Sequence, residues 1–419
     1  MIRRRLKNLA RPFFRAGIVK PARRVLRFRN DYLKGGTVRF FERDGYHVFF
    51  GYYDLCPFNR DETRVLAGAA PAAFQSGGTA RPLEIGYFDR RDGAFHRVGE
   101  TTTWCWQQGC RLAWFPAGEN RQAVIYNRMV NGRYGCVVQD PENGETLRTY
   151  NRPLYSISPD GRHGISLNFS RLHRFRPGYG YPNLDDPTRG DSAPENDGLF
   201  HVDLETGESR LLVSIKRMAG IAPLDTMRNA GHYFNHVCFA PSGDRFLVFH
   251  LWQHNGKRHV RMAVFDLDGK VLGLFGEGYV SHYAWKNDRE ILAFASVGGE
   301  KGYYLYSLGS ERVERIGTGI LDRDGHPSFL DGGGCILTDT YPDRWRRQHL
   351  LLYDPGRRRV RRVAWFFVPR EFQKEVRADL HPRPSPSGRY VAVDTVRRGM
   401  RVLCLVQLRE NAACKGDIS

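Results

Sequence analysis

The chain has 419 residues, a formal net charge of +19, and 41% hydrophobic and 13% aromatic content, enough for a substantial core. Its basic residues are mostly Arg spread along the chain, with no nucleic-acid recognition motif, so nucleic acid is excluded as the expected partner; an acidic glycan or an anionic membrane suits the charge. Eight cysteines are scattered with no CxxC pair, a usage that excludes a dense disulfide framework and suits reduced thiols in a cytoplasmic protein.

Residues 1–36 open the chain as a basic arm in which Arg and Lys alternate with Leu, Phe and Val and no acid precedes Asp31. The arm has no apolar run long enough for a signal peptide or a membrane span. It reads as an amphipathic segment for an anionic membrane surface, which would hold the protein at the periphery of the inner membrane, or as a solvated tail. An orphan strand, Thr37 to Arg43, follows.

From there a turn with Asp, Asn or Gly, followed by a β-branched or aromatic run, recurs seven times. The instances are CPFNRDETRVLAG, WFPAGENRQAVIY, ISPDGRHGISL, FAPSGDRFLVF, WKNDREILAF, FLDGGGCILT and PSPSGRYVAV. A second turn follows each, from FDRRDG in the first to VQLREN in the last. Two turns per unit at this spacing predict four-stranded blades, and seven units predict one seven-bladed β-propeller over residues 37–410, with 411–419 as a tail. With strands A to D numbered outward, the first turn joins A to B and the second joins C to D. Six units have an obvious D strand and the last has none, so the orphan strand is predicted to close the ring there and remove an exposed edge. One connection breaks the rhythm: residues 168–199, rich in Gly, Pro and charge, form a B–C loop of the third blade.

In such a meander the A–B turns share one face of the ring. The starts of A strands, the ends of B strands and the B–C loops share the other. His236, His282, His326 and His381 each open an A strand, and His250 closes a B strand, so five of the fourteen histidines converge on one mouth. Clustered imidazoles bind a divalent metal or act as a base near neutral pH. A single such histidine is equally consistent with a hydrogen bond between blades. Asn235, Gln107 and Gln108 also precede A strands, and Arg171, His173 and Tyr179 of the insertion overhang the same mouth; these are candidate sugar-binding residues. Tyr52 and Tyr53, ahead of the first A–B turn, read as blade packing.

At these residues the chain resembles the oligogalacturonate lyases, seven-bladed propellers that cleave uronate oligosaccharides by β-elimination. The likeness runs from about Phe49 to Leu408, and FGYYDLCPFNRDETRVLAG is similar to that family's first blade. It implies that VFHLW carries the base, His250, that SHYAW carries a metal-binding histidine, His282, and that ADLHPRP carries another, His381. Where the family has a second histidine and a glutamine as ligands, this chain has Arg383 and Ala378. Asp379 and His326 are the candidates to replace them, and a manganese-type ion is implied. The chain is also similar to propellers associated with bacterial surface-polysaccharide assembly, which implies a cytoplasmic role on newly made polysaccharide.

The expected function is therefore a polysaccharide lyase. β-Elimination on a uronate removes the C5 proton, which requires charge facing the carboxylate and a neutral base at C5. His250 is the expected base and Arg383 the expected carboxylate clamp, with His282, His381, Asp379 and His326 as metal ligands. This reading needs His250, His282 and His381 in one pocket. A non-catalytic platform for an acidic polysaccharide or a protein is the alternative. A glycoside hydrolase using Asp339 and Asp394, which also end B strands, is third.

Overall fold

The structure, a computed structural model, describes residues 31–33, 37–73, 81–116, 122–276 and 278–408. Seven antiparallel sheets form a seven-bladed β-propeller. Blade one is Tyr46–Phe49, Arg64–Pro71, Leu83–Asp89 and Phe95–Thr101. Blade four, the longest, is Gly231–Phe239, Arg245–His254, Lys257–Asp266 and Val271–Phe275. Blade seven takes Arg383–Pro384, Tyr390–Arg397 and Met400–Gln407 from the end of the chain and Val38–Phe41 from its start. That last pairing, antiparallel with Val38 opposite Val406 and Phe41 opposite Leu403, is the predicted ring closure.

Burial follows from the architecture. Inner strands are covered on both faces by neighbouring blades, so RVLAGAAP and YVAVDTVR are buried almost throughout rather than at alternate residues. Outer strands lie on the perimeter, and Thr146–Tyr150 exposes all but its last residue. The strand period of two survives only where one face meets water.

Two expectations need revision. Asp31–Leu33, assigned to the arm, forms a fifth strand on blade six, opposite Phe366 to Ala364, and covers an edge that would otherwise be unpaired. The rest of the arm and the 411–419 tail lie outside the described residues. Cys335 is disulfide-bonded, so the thiols are not uniformly reduced; Cys56, Cys105, Cys110, Cys136 and Cys238 remain free. No helix among the described residues is long and apolar enough to cross a membrane.

The 168–199 insertion does connect the B and C strands of blade three, His163–Ser166 and Gly198–Asp203. It contains a short helix, Phe169–Phe175, capped by the Asn168 side chain accepting from the Arg171 N–H. Arg171 is buried and ties the loop together. It donates to the backbone carbonyls of His232, Thr188, Asp191 and Ser192 and sits beside Asp186.

Candidate metal centre and surrounding site

The A strands deform where they carry their histidines. In blade four the register shifts between Asn235 and Cys238, and His236 takes a left-handed conformation at φ 57°. In blade five it shifts between Val280 and Tyr283, bracketing His282. His381, just ahead of blade seven's A strand, is also left-handed at φ 45°. Bulges re-aim side chains, and backbone strain of this kind gathers at functional sites.

His326, His381 and Asp379 meet in the buried mouth, one ligand atom from each lying within 4.8 Å of the others. Their second atoms are fixed by the protein. His326 Nδ1 faces the Asp339 carboxylate at 2.9 and 3.0 Å, and His381 Nδ1 faces the Gly51 carbonyl at 2.7 Å. A carboxylate and a carbonyl only accept, so each Nδ1 carries the proton and each Nε2 keeps a lone pair. Both Nε2 atoms and Asp379 Oδ1 are buried without a hydrogen-bond partner. Three converging lone pairs out of reach of water are costly unless a cation or proton satisfies them. The donor set of two imidazoles and a carboxylate, each braced from behind, fits a transition-metal ion.

Gly51 is needed at this point. Its φ is +134°, and a Cβ there would meet the Gln108 backbone at 3.0 Å. No other residue could bring this carbonyl to His381 without displacing blade two's entry.

His282 stands next to the three donors. Its ring centroid is 4.1 Å from that of His326, and its Nδ1 bonds Asp324 Oδ1 at 2.8 Å, which again leaves the lone pair on Nε2. Burial lowers its pKa, partly offset by Asp324. Burial, His326 and Arg383 hold His381 well below the ordinary value. For His326 burial acts in the same sense, but the carboxylates of Asp339, Asp379 and Asp324 together outweigh it and raise the pKa.

The wall above is aromatic and basic. Tyr52 stacks on His236 at 4.9 Å and meets the edge of His381 at 4.8 Å, with a buried hydroxyl that has no partner. It is thus part of the site rather than blade packing. Tyr53 packs on His326 while its hydroxyl donates to the Tyr283 carbonyl. Tyr179 is brought over the mouth by the insertion, as expected, and lies between two guanidiniums. Arg176 covers its ring at 3.5 Å, and Arg377 donates to its hydroxyl at 3.1 Å. Arg377 also pairs with Asp379, whereas Arg176 has no carboxylate partner among the described residues. Sequence reasoning passed over Arg176 and Arg377. The signal was present in RFRPGYGY and in Arg377, two residues ahead of Asp379.

Asn235, Gln108 and Gln107 are positioning residues. Asn235 Oδ1 accepts from Gln108 and from Tyr155, which orients its amide nitrogen toward His236 Nε2. Arg176 donates to the same nitrogen at 3.2 Å, so neutral His236 carries its proton on Nδ1, which is buried and unpartnered. Gln107 bridges the Glu375 and Arg377 carbonyls and accepts from Arg377.

Five sequence-based assignments change. His250 does not join the group, because its Nε2 faces His232 Nδ1 at 2.9 Å and its Nδ1 accepts from Arg261 Nε at 3.2 Å. Side chains alternate along the strand, and it is Phe249 that meets His236 and Tyr283. Arg383 is not an open clamp: it is buried against Asp394 at 2.9 Å and donates to the Gly51 and Tyr52 carbonyls. Arg171 braces the insertion as described, and His173 lies on the insertion helix with no ring contact to the histidine group. The hydrolase pair is also committed elsewhere, Asp339 to His326 and His381, Asp394 to Phe50, Gly51, Arg383 and Arg401.

Comparison with known proteins places the fold. No protein-family model matches the sequence, and neither does any curated protein. An oligogalacturonate lyase solved in complex with manganese is similar at TM-score 0.64 and 17% identity, over 91% of this chain and 96% of that one. An oligogalacturonate lyase from Vibrio parahaemolyticus is similar at TM-score 0.62 and 13% identity, over 92% and 98%. At such identities the likeness carries the propeller and its full-length correspondence.

Proposed function

We propose that this protein is a metal-dependent polysaccharide lyase that cleaves a uronate-containing glycan by β-elimination. The observation that carries the reading is the set of buried, unpartnered donors, His326 Nε2, His381 Nε2 and Asp379 Oδ1. The manganese bound by a lyase of the same fold supports Mn²⁺ as the ion. A divalent ion there would supply positive charge opposite the substrate carboxylate, whose neutralisation acidifies C5.

The remaining roles belong to the chain. Arg176, free of any carboxylate among the described residues, grips the uronate carboxylate, and the Nδ1–H of His236 donates to the sugar. His282, held by Asp324, takes the C5 proton on Nε2, the role that the position of His250 denies to that residue. As the C4–oxygen bond breaks, its electrons leave with the oxygen, which takes the Tyr52 hydroxyl proton, and the C5–H electrons form the C4–C5 double bond. Anionic polysaccharide is thus the partner, and the basic charge of the chain supports it.

The test is ultraviolet absorbance of the unsaturated uronate during incubation with polygalacturonate, alginate and glucuronate polymers, with added Mn²⁺ and after chelation. Absorbance that rises with Mn²⁺ and stops on chelation is the expected result. Binding of a glycan without the absorbance in any of them would replace the lyase by a binding platform.

A further inference from the structure

A second cavity of about 870 Å³ lies on the same face of the ring, outside the histidine group, between blades two and three. The insertion supplies one wall through Asn168, Phe169 and Thr188, and the link from blade two to blade three supplies the other through Asn151 and Arg152. Its size falls in the range of about 300–1,000 Å³ usual for small-molecule sites. An aromatic partition separates it from the mouth. Phe169, on the cavity wall, stacks on Tyr181 at 4.2 Å and on Tyr155 at 5.9 Å, and Tyr155 donates to Asn235 beside His236.

Three features of the lining point to a ligand. Ser166 is a lining residue, and its Oγ is buried with no hydrogen-bond partner. Arg152 lies over the Phe200 ring at 3.5 Å, is held by Ser209 Oγ at 2.9 Å, and has no carboxylate partner among the described residues. The acid closest to it in role, Asp197, is already saturated by Asn168, Thr188 and the Gly198 N–H. Of the charged lining residues, Arg133 and Asp185 are exposed at the rim, Asp197 is hydrogen-bonded within the wall, and Arg152 is the half-buried one; most other polar lining groups are amides and hydroxyls. A guanidinium for a carboxylate and neutral groups for hydroxyls is the chemistry that recognises an acidic sugar.

We propose that this cavity is a second binding site for acidic saccharide, distinct from the metal centre. The insertion serves both places, forming the cavity with its Asn168 end and reaching the mouth with Arg176 and Tyr179. A chain bound in the cavity is thereby presented to the mouth on the same face.

The proposal is tested by calorimetric titration of a galacturonate heptasaccharide into the protein carrying His282→Ala, which removes turnover from the measurement. Arg152→Gln and, separately, Ser166→Val are added to that background, with melting temperature confirming the fold of each. Weakening by roughly tenfold or more in Arg152→Gln, and a smaller loss in Ser166→Val, are expected. Unchanged affinity in both variants overturns the site, and equal binding of a neutral galactose heptasaccharide overturns its acidic specificity. Because binding alone is read, the result stands apart from whether the mouth is a lyase.

Discussion

Two histidine groups in this propeller are built from the same parts and end in opposite conditions. In blade four, His232 and His250 stack at 5.0 Å, exchange a ring hydrogen bond and receive Arg261, so both His250 ring nitrogens are spoken for. Across blades six and seven, His326 and His381 have equally buried rings, but only Nδ1 is used and both Nε2 atoms are buried with no hydrogen-bond partner. Neither burial nor the number of imidazoles separates the two. What separates them is whether the second nitrogen of each ring has a partner, and that marks one group as structure and the other as a site.

The sharpest way to break this contrast is to remove two donors at once. The double variant His326→Ala, His381→Ala should bind no Mn²⁺ by elemental analysis, and elimination should fall to background. Retained metal would put the ion elsewhere. Next in size is His282→Ala, expected to lower elimination by about 10²–10⁴-fold, the usual worth of a general base, while Mn²⁺ content stays unchanged. Metal lost along with activity would make His282 a ligand instead of the base. The opposite result is expected in blade four. His250→Phe leaves Arg261 and His232 each short of one hydrogen bond and should cost about 2–6 kcal/mol in urea unfolding, at about 1–3 kcal/mol per orphaned group, with Mn²⁺ content and turnover as in the unaltered protein.

The same contrast explains what could be read before the structure. Turn pairs count blades because each turn type has its own chemistry, and the missing last D strand led directly to Val38–Phe41 as the closing strand. Topology correctly brought His282, His326 and His381 to one mouth, because the start of an A strand can lie only there. It failed for His250 because the end of a B strand fixes height along the blade but not side, and one step of alternation gives the mouth to Phe249. The bulges that turn His236 and His282 depend on neighbouring blades and leave no trace in spacing. Arg383 was assigned to the substrate because its partner, Asp394, joins it only through the register of blade seven, where Arg383 lies opposite Ala392.

His47 extends the comparison to a histidine that belongs to neither group. Its Nδ1 accepts from the Arg401 N–H, its Nε2 is buried and unpartnered, and it packs on the edge of Trp106. Burial and then the Arg401 charge lower its pKa to about 4 against an ordinary 6.5. Because the folded value lies below the unfolded one, the unfolded chain takes up a proton first as pH falls. Stability is complete above pH 6.5 and drains away between 6.5 and about 4. At pH 5.5 this one group should cost roughly 1.4 kcal/mol of unfolding free energy relative to neutral pH. Urea unfolding at pH 7.5 and pH 5.5 measures it, and His47→Gln, which retains an acceptor for the Arg401 N–H, should flatten the dependence by that amount. An equal slope in the variant would move the acid sensitivity to His232, His236 and His250, whose pKa values burial also depresses. At His47 the one lone pair, on Nδ1, is already taken by the Arg401 N–H, so burial registers as a pH liability, where the unpartnered atoms of His326, His381 and Asp379 together register as a place for an ion.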